Sequence, residues 1–273
     1  MKLSVSNIAW NNDELKSYLI LLRNLGCDGV EIAPSRIWKE PVNAKKEEIE
    51  HLKRLVKRCG LSISAFHALL YNKPNFYLFG DESIRRITVS YLKNLIKLAG
   101  RLSTGILVYG SPKSRKIGDN NYDRCYRIAM DTFRDLAREA EKYDVCFCIE
   151  PLGPSESDFI QTAEEGYQLV RDVDSPGFGL HLDVKAMLDS KEDFSGVFEK
   201  YASMLKHFHI SDPGLAPPGY TGLDHRPIGK ALFKSGYDGF VSIEMKEQFA
   251  GTQESVKAAV KYVQERYIYE NRQ

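Results

Sequence analysis

Four residues in the second half of the chain carry side chains able to hold a divalent cation: Glu150 in Cys-Ile-Glu-Pro, Asp183 in Leu-His-Leu-Asp-Val, His209 in His-Phe-His-Ile-Ser-Asp and Glu244 in Val-Ser-Ile-Glu-Met. Each closes a short β-rich run. Side chains alternate along a strand, so Cys146, Cys148 and Glu150 share a face, as do Gly179, His181 and Asp183, then His207 and His209, then Ser242 and Glu244. If that face is the interior of one sheet, three carboxylates and an imidazole meet in apolar surroundings. There they repel and lose solvation unless a cation balances them. Any one of them alone reads as a polar strand end in water; four successive strands with the same ending do not. The donor set of three carboxylates and one nitrogen suits Mn(II), Co(II), Mg(II) or Zn(II). One such ion polarises a substrate carbonyl and stabilises an enediolate, while two carboxylates on opposite sides of the neighbouring carbon remove and return a proton.

Positioning such residues takes a repeated unit. Eight strand candidates run along the chain: Leu3 to Ile8, Gly29 to Ala33, Ser62 to His67, Gly105 to Gly110, Val145 to Pro151, Gly177 to Val184, Leu205 to Ser211 and Gly239 to Met245. Between them apolar residues recur at helical spacing, clearly so over Glu47 to Cys59, Ile84 to Ala99, Tyr122 to Tyr143, Ala163 to Val173 and Gln253 to Tyr267. Strand–helix alternation of this kind predicts a parallel sheet, and eight right-handed units close into a single (β/α)8 TIM barrel. The rival is an open doubly wound sheet. No Gly-x-Gly-x-x-Gly follows the first strand, and no linker divides residues 1–273, so one domain is expected; Pro213 to Gly222 is short enough to be a βα loop.

Composition narrows the function classes. With 38 basic and 37 acidic residues the net charge is +1, which gives no bulk attraction to nucleic acid or to an anionic membrane. The N-terminus lacks a signal-peptide core and no run approaches the roughly 18 apolar residues of a membrane span, so a cytoplasmic protein is expected. The five cysteines fit reduced thiols, with Cys146 and Cys148 packed in a buried strand.

Ile-Glu-Pro-Leu, Gly-Leu-His-Leu-Asp-Val, Phe-His-Ile-Ser-Asp and Gly-Tyr-Asp-Gly-Phe-Val-Ser-Ile-Glu stand at spacings similar to the ligand-bearing motifs of the xylose isomerase-like barrel superfamily. Within it the chain resembles the sugar isomerases and epimerases related to D-tagatose 3-epimerase, over nearly its whole length and most specifically from Glu150 to Glu244. The resemblance implies that Glu150, Asp183, His209 and Glu244 bind one divalent metal, manganese among the candidates, and that Glu150 and Glu244 are also the acid/base pair. Glu156 matches a polar, substrate-contacting position of the family. Two positions depart from it: Ala186 and Leu215 stand where the ketose epimerases present a His and an Arg to the substrate.

Other residues are candidates for the missing contacts. Lys185 and Lys246 lie two residues beyond a ligand, on the same face if the strand continues. Arg115, in Gly110-Ser-Pro-Lys-Ser-Arg115, suits bidentate binding of phosphate or carboxylate. His67 closes the third strand as a pocket residue, and His225 is placed to return to the pocket on the seventh βα loop. His181 and His207, one layer below the ligands, read as core or supporting groups. Trp10 is an apolar wall candidate.

The leading expectation is a metal-dependent isomerase or epimerase of a sugar or sugar derivative, working by proton transfer through an enediolate. The substrate is a small molecule, with an anionic group suggested by the lysines and Arg115; a homo-oligomer stays open. The alternatives are a dehydratase of the same superfamily, acting on inosose or 3-dehydroshikimate; an abasic-site endonuclease, disfavoured by balanced charge and too few extra ligands; and a binding protein with a vestigial site.

Overall fold

The computed structural model of the chain describes residues 1–269. Eight parallel strands follow one another around a closed ring: β1 (Lys2–Ser6), β2 (Gly29–Ile32), β3 (Ser62–Phe66), β4 (Ile106–Tyr109), β5 (Cys146–Ile149), β6 (Phe178–Asp183), β7 (Leu205–Ile210) and β8 (Phe240–Ile243). Pairing of β8 with β1, from Lys2 opposite Phe240 to Val5 opposite Ile243, excludes the open sheet. The outer ring consists of α1 (Leu15–Asn24), α2 (Lys46–Arg58), α3 (Glu82–Leu102), α4 (Tyr122–Glu141), α5 (Ala163–Val173), α6 (Phe194–Tyr201), α7 (Arg226–Lys234) and α8 (Gln253–Val263).

The helices form because their apolar residues fall on one stripe. In α2, Ile49, Leu52 and Val56 are buried and the charged residues between them face out. In α4, Phe133 reaches the outer face of the sheet and stacks near Phe147 and Phe178, at centroid distances of 6.2 and 5.1 Å. Each such ring removed from water contributes roughly 1.5–3 kcal/mol. Entry to α5 is fixed by Thr162, whose hydroxyl accepts from the Glu165 amide at 3.2 Å while the Glu165 carboxylate accepts from the Thr162 amide.

The strands end one or two residues earlier than the apolar pattern suggests, which puts Glu150 and Glu244 just past β5 and β8. Asp183 ends β6 and also caps a short helix, Val184–Asp189: its Oδ1 accepts from the Ala186 amide at 2.8 Å. Extended backbone therefore stops at Asp183, so Lys185 does not continue the strand face as expected. Lys246 likewise precedes a helical turn, Glu247–Ala250. The C-terminal helix is also split, since α8 ends at Val263 and Gln264–Tyr269 form a wider π-helical turn.

Register aligns the site. His181 pairs with His207, Asp183 with His209, and His209 with Ser242. Between β6 and β7 the pairing slips: Leu180 lies opposite Leu205 and His181 opposite His207, leaving Lys206 as an extra residue. All five cysteines are free; the sulfurs of Cys146 and Cys148 lie 3.8 Å apart on β5, Cys148 buried and Cys146 half-buried. Among the described residues no helix is long and apolar enough to cross a membrane.

Candidate metal centre and active site

At the C-terminal end of the barrel, Glu150, Asp183, His209 and Glu244 each present one ligand atom, and these atoms all lie within 4.8 Å of one another. His209 Nδ1 is 3.2 Å from Glu244 Oε2 and 3.8 Å from Asp183 Oδ2. Both His209 Nδ1 and Asp183 Oδ2 are buried without a hydrogen-bond partner. Room for the Glu150 carboxylate depends on Gly110, where a Cβ would stand 2.2 Å from Glu150 Oε2. Any other residue there would displace it.

Around the four residues lies a second layer. The Ser6 hydroxyl is 2.6 Å from His67 Nε2, and His67 Nδ1 is 3.1 Å from Glu244 Oε1, so His67 adjoins the cluster. On the floor, Glu31 of β2 is fully buried. Its Oε1 accepts from His207 Nε2 at 3.0 Å and from His209 Nε2 at 2.9 Å, and its Oε2 from the Ser242 hydroxyl at 2.6 Å. Sequence reasoning missed Glu31. The signal was an acidic residue inside the apolar strand Gly-Val-Glu-Ile. His181 packs edge-on to His209 at 4.1 Å, with both ring nitrogens unpartnered and Nε2 3.8 Å from Glu150 Oε1.

The charges respond to this crowding. Burial pushes the Glu150 carboxyl up to about 8, against the pull of His209 and with the help of Asp183 and Glu244. Burial also raises Asp183. For Glu244 and Glu31 burial acts the same way, but nearby histidines, His209 foremost, outweigh it and hold both carboxyls well below the usual range. His209 is correspondingly raised by Glu31 and Glu244 in spite of its burial, whereas burial drives His181 well below the ordinary imidazole range.

The remaining candidates are placed unequally. Glu156 and Lys185 form an ion pair at the edge of the site, and Lys185 also feels Asp183 and Glu150. Arg115 is not an open rim cation. Ser111 in a left-handed conformation (φ 44°) and the turn Pro112–Ser114 fold the loop back, burying the guanidinium, which donates from Nη2 to the Glu150 carbonyl at 2.6 Å while Nε and Nη1 find no acceptor. Burial lowers its pKa to about 10. His225 does not present a ring nitrogen to the cluster: Nε2 lies 2.8 Å from Asp212 Oδ1 and Nδ1 2.8 Å from the Tyr267 hydroxyl. The Lys246 side chain is exposed to solvent. Trp10 is buried and stacked on Tyr18 at 4.6 Å. Ala186 is buried, and Leu215 sits in a left-handed turn (φ 61°).

Residues 19–264 match the sequence profile of the family described as xylose isomerase-like TIM barrel. Among curated relatives, the D-psicose 3-epimerase of Ruminiclostridium cellulolyticum is 29% identical over 255 residues, covering 89% of this chain and 82% of that protein. The fructoselysine 3-epimerase of Shigella flexneri is 24% identical over 226 residues, 81% of each chain. The solved structure of D-psicose 3-epimerase with D-tagatose from Clostridium cellulolyticum H10 superposes with a TM-score of 0.84 at 21% identity, covering 98% of this chain and 99% of that one.

Proposed function

Because the chain belongs to the xylose isomerase-like TIM barrel family, we propose that it is a metal-dependent epimerase of a ketose or ketose derivative that inverts a carbon beside the carbonyl. The observation that carries this reading is the pair of orphaned atoms, His209 Nδ1 and Asp183 Oδ2, facing Glu244 in a cluster completed by Glu150. Buried polar atoms are rarely left unpaired, and like-charged carboxylates rarely crowd together without a counter-charge. The four residues fit a divalent cation of Mn, Co, Mg or Zn type, which when bound supplies Lewis-acid polarisation of the substrate carbonyl. Both relatives named above are 3-epimerases.

Glu150 and Glu244 are the proton carriers in this reading. They stand after β5 and β8, with the Asp183 and His209 strands between them, and so approach a bound carbon from two sides. One takes the proton from one face while the other returns a proton to the opposite face. His67, at 3.1 Å, holds the Glu244 carboxylate; Arg115 holds the peptide carbonyl of Glu150. Glu156 and Lys185 line the edge where the substrate's distal hydroxyls would lie. The anionic substrate suggested by the loop cations loses its support, since Arg115 is buried, Lys246 is exposed and Lys185 is paired with Glu156. Ala186 and Leu215 supply neither an imidazole nor a guanidinium at the reacting end, which favours a ketose derivative over a free ketohexose.

The test is turnover in heavy water with D-psicose, D-tagatose, D-fructose and N-substituted fructosamines, after loading with Mn(II), Co(II), Mg(II) or Zn(II). Solvent deuterium should enter at the inverted carbon with no change in the product's skeleton. Loss of water would mean a dehydratase instead, and an epimer free of deuterium would mean hydride transfer.

A further inference from the structure

Glu31 crosses the barrel interior from β2 to β7, three strands away around the ring, to reach the far side of the His209 imidazole. The geometry points to Glu31 as the positioning residue that fixes which nitrogen of His209 faces the metal site, an inference that rests on the metal reading given above. His209 Nε2 lies 2.9 Å from Glu31 Oε1 and must carry the hydrogen of that bond. Nδ1, on the opposite side of the ring, faces the gap between Glu244 Oε2 and Asp183 Oδ2, and is the nitrogen that would give up its hydrogen and offer a lone pair to a cation there. The imidazole cannot turn over to offer Nε2 instead without abandoning a fully buried carboxylate.

Glu31 is itself held against rotation. His207 Nε2 donates to the same oxygen at 3.0 Å, and the Ser242 hydroxyl donates to the other at 2.6 Å. His181 closes the edge of the His209 ring at 4.1 Å. A carboxylate on the outer nitrogen of a metal-binding histidine fixes tautomer and ring orientation, and losing it typically weakens metal affinity about 10- to 100-fold. Here the carboxylate comes from a strand far from the four ligands in sequence.

Because the role is geometric, Glu31→Gln should largely preserve it. The amide oxygen can still accept from both histidines, and the amide nitrogen can donate to Ser242. Glu31→Leu removes the acceptor altogether. Competition titration with Zn(II) and a chromophoric chelator should show Glu31→Gln within a few-fold of wild type and Glu31→Leu weaker by about 10- to 100-fold. Nitrogen-15 spectra of the Zn(II)-loaded wild type, which do not depend on either variant folding, should show His209 protonated at Nε2 and metal-bound at Nδ1. The inference is overturned if His209 binds through Nε2, if Glu31→Leu keeps wild-type affinity, or if Glu31→Gln loses as much as Glu31→Leu. Wild-type protein that takes up no Zn(II) overturns the metal reading, and this one with it.

Discussion

Two buried clusters in this barrel pair carboxylates with histidine, and they are built to opposite ends. In one, Asp212 accepts four hydrogen bonds: from the Gly219 amide at 3.0 Å, the Thr221 amide and hydroxyl at 2.7 Å each, and His225 Nε2 at 2.8 Å. His225 spends its other nitrogen on Tyr267. In the other, three carboxylates surround His209, yet His209 Nδ1 and Asp183 Oδ2 are left over. A saturated cluster stabilises the fold; a cluster that leaves buried polar atoms unpartnered calls for another explanation, and the metal-site proposal supplies one. Residue type alone does not separate them, because each has its aspartate and its histidine.

Activity should separate them most sharply. Glu150→Gln and Glu244→Gln are expected to lower kcat about 10²- to 10⁴-fold with little change in KM, whereas Asp212→Asn should leave kcat within a few-fold. Steady-state kinetics on the best ketose decides this, and a Glu150→Gln enzyme with full kcat would sink the acid/base assignment. Stability should reverse the order. Asp212→Ala strands His225 and the Thr221 amide and should cost about 3–5 kcal/mol in urea unfolding. Asp183→Asn keeps the cap on Ala186 and removes one of several crowded charges, so in chelator-treated protein it should be neutral or stabilising. A large loss in that variant would place the two clusters in one class.

Metal removal sharpens the same contrast at smaller scale. A divalent ion present at 100 times its Kd stabilises the folded state by about 2.7 kcal/mol, so chelation should lower the Tm of the wild type and of Asp212→Asn but leave Asp183→Asn unmoved. The smallest effect is in acid. Burial raises the Asp212 carboxyl, but its bonds from His225, Thr221 and Gly219 prevail and set it below its ordinary value. Its contribution is therefore complete above the unfolded carboxylate range, near pH ~4, and is lost as pH falls through the lower folded value. Asp212→Asn should flatten the pH dependence of stability in that acidic window; an unchanged slope would show that Asp212 carries none of it.

Much of this was legible in the sequence because both periods were. Strand alternation placed Glu150, Asp183, His209 and Glu244 on one face, and their recurrence at four successive strand ends marked them as a set. What escaped depended on turns and on distant partners. Asp183 followed by Val-Lys-Ala-Met-Leu is a helix-capping pattern, and it diverts Lys185 from the strand face. The fate of His225 is decided by Tyr267, which lies 42 residues further on, and by the Asp212 side chain at the far end of its own loop. Arg115 went under the loop because Ser111 and Pro112 turn the chain back, a steric decision no charge pattern records. Glu31 was hidden by its neighbours, since a lone acid between Val30 and Ile32 reads as an outward-facing strand residue unless its partners across the barrel are known.

Asp183 divides its two oxygens between different audiences: Oδ1 listens to the Ala186 amide and Oδ2 to the cluster. Any charge arriving at Oδ2 must draw electron density from Oδ1, weakening the bond that starts the helix Val184–Asp189. The Ala186 amide is thus a built-in gauge. Its proton chemical shift and its hydrogen-exchange rate should report occupancy of the centre continuously, without a label and without a substrate.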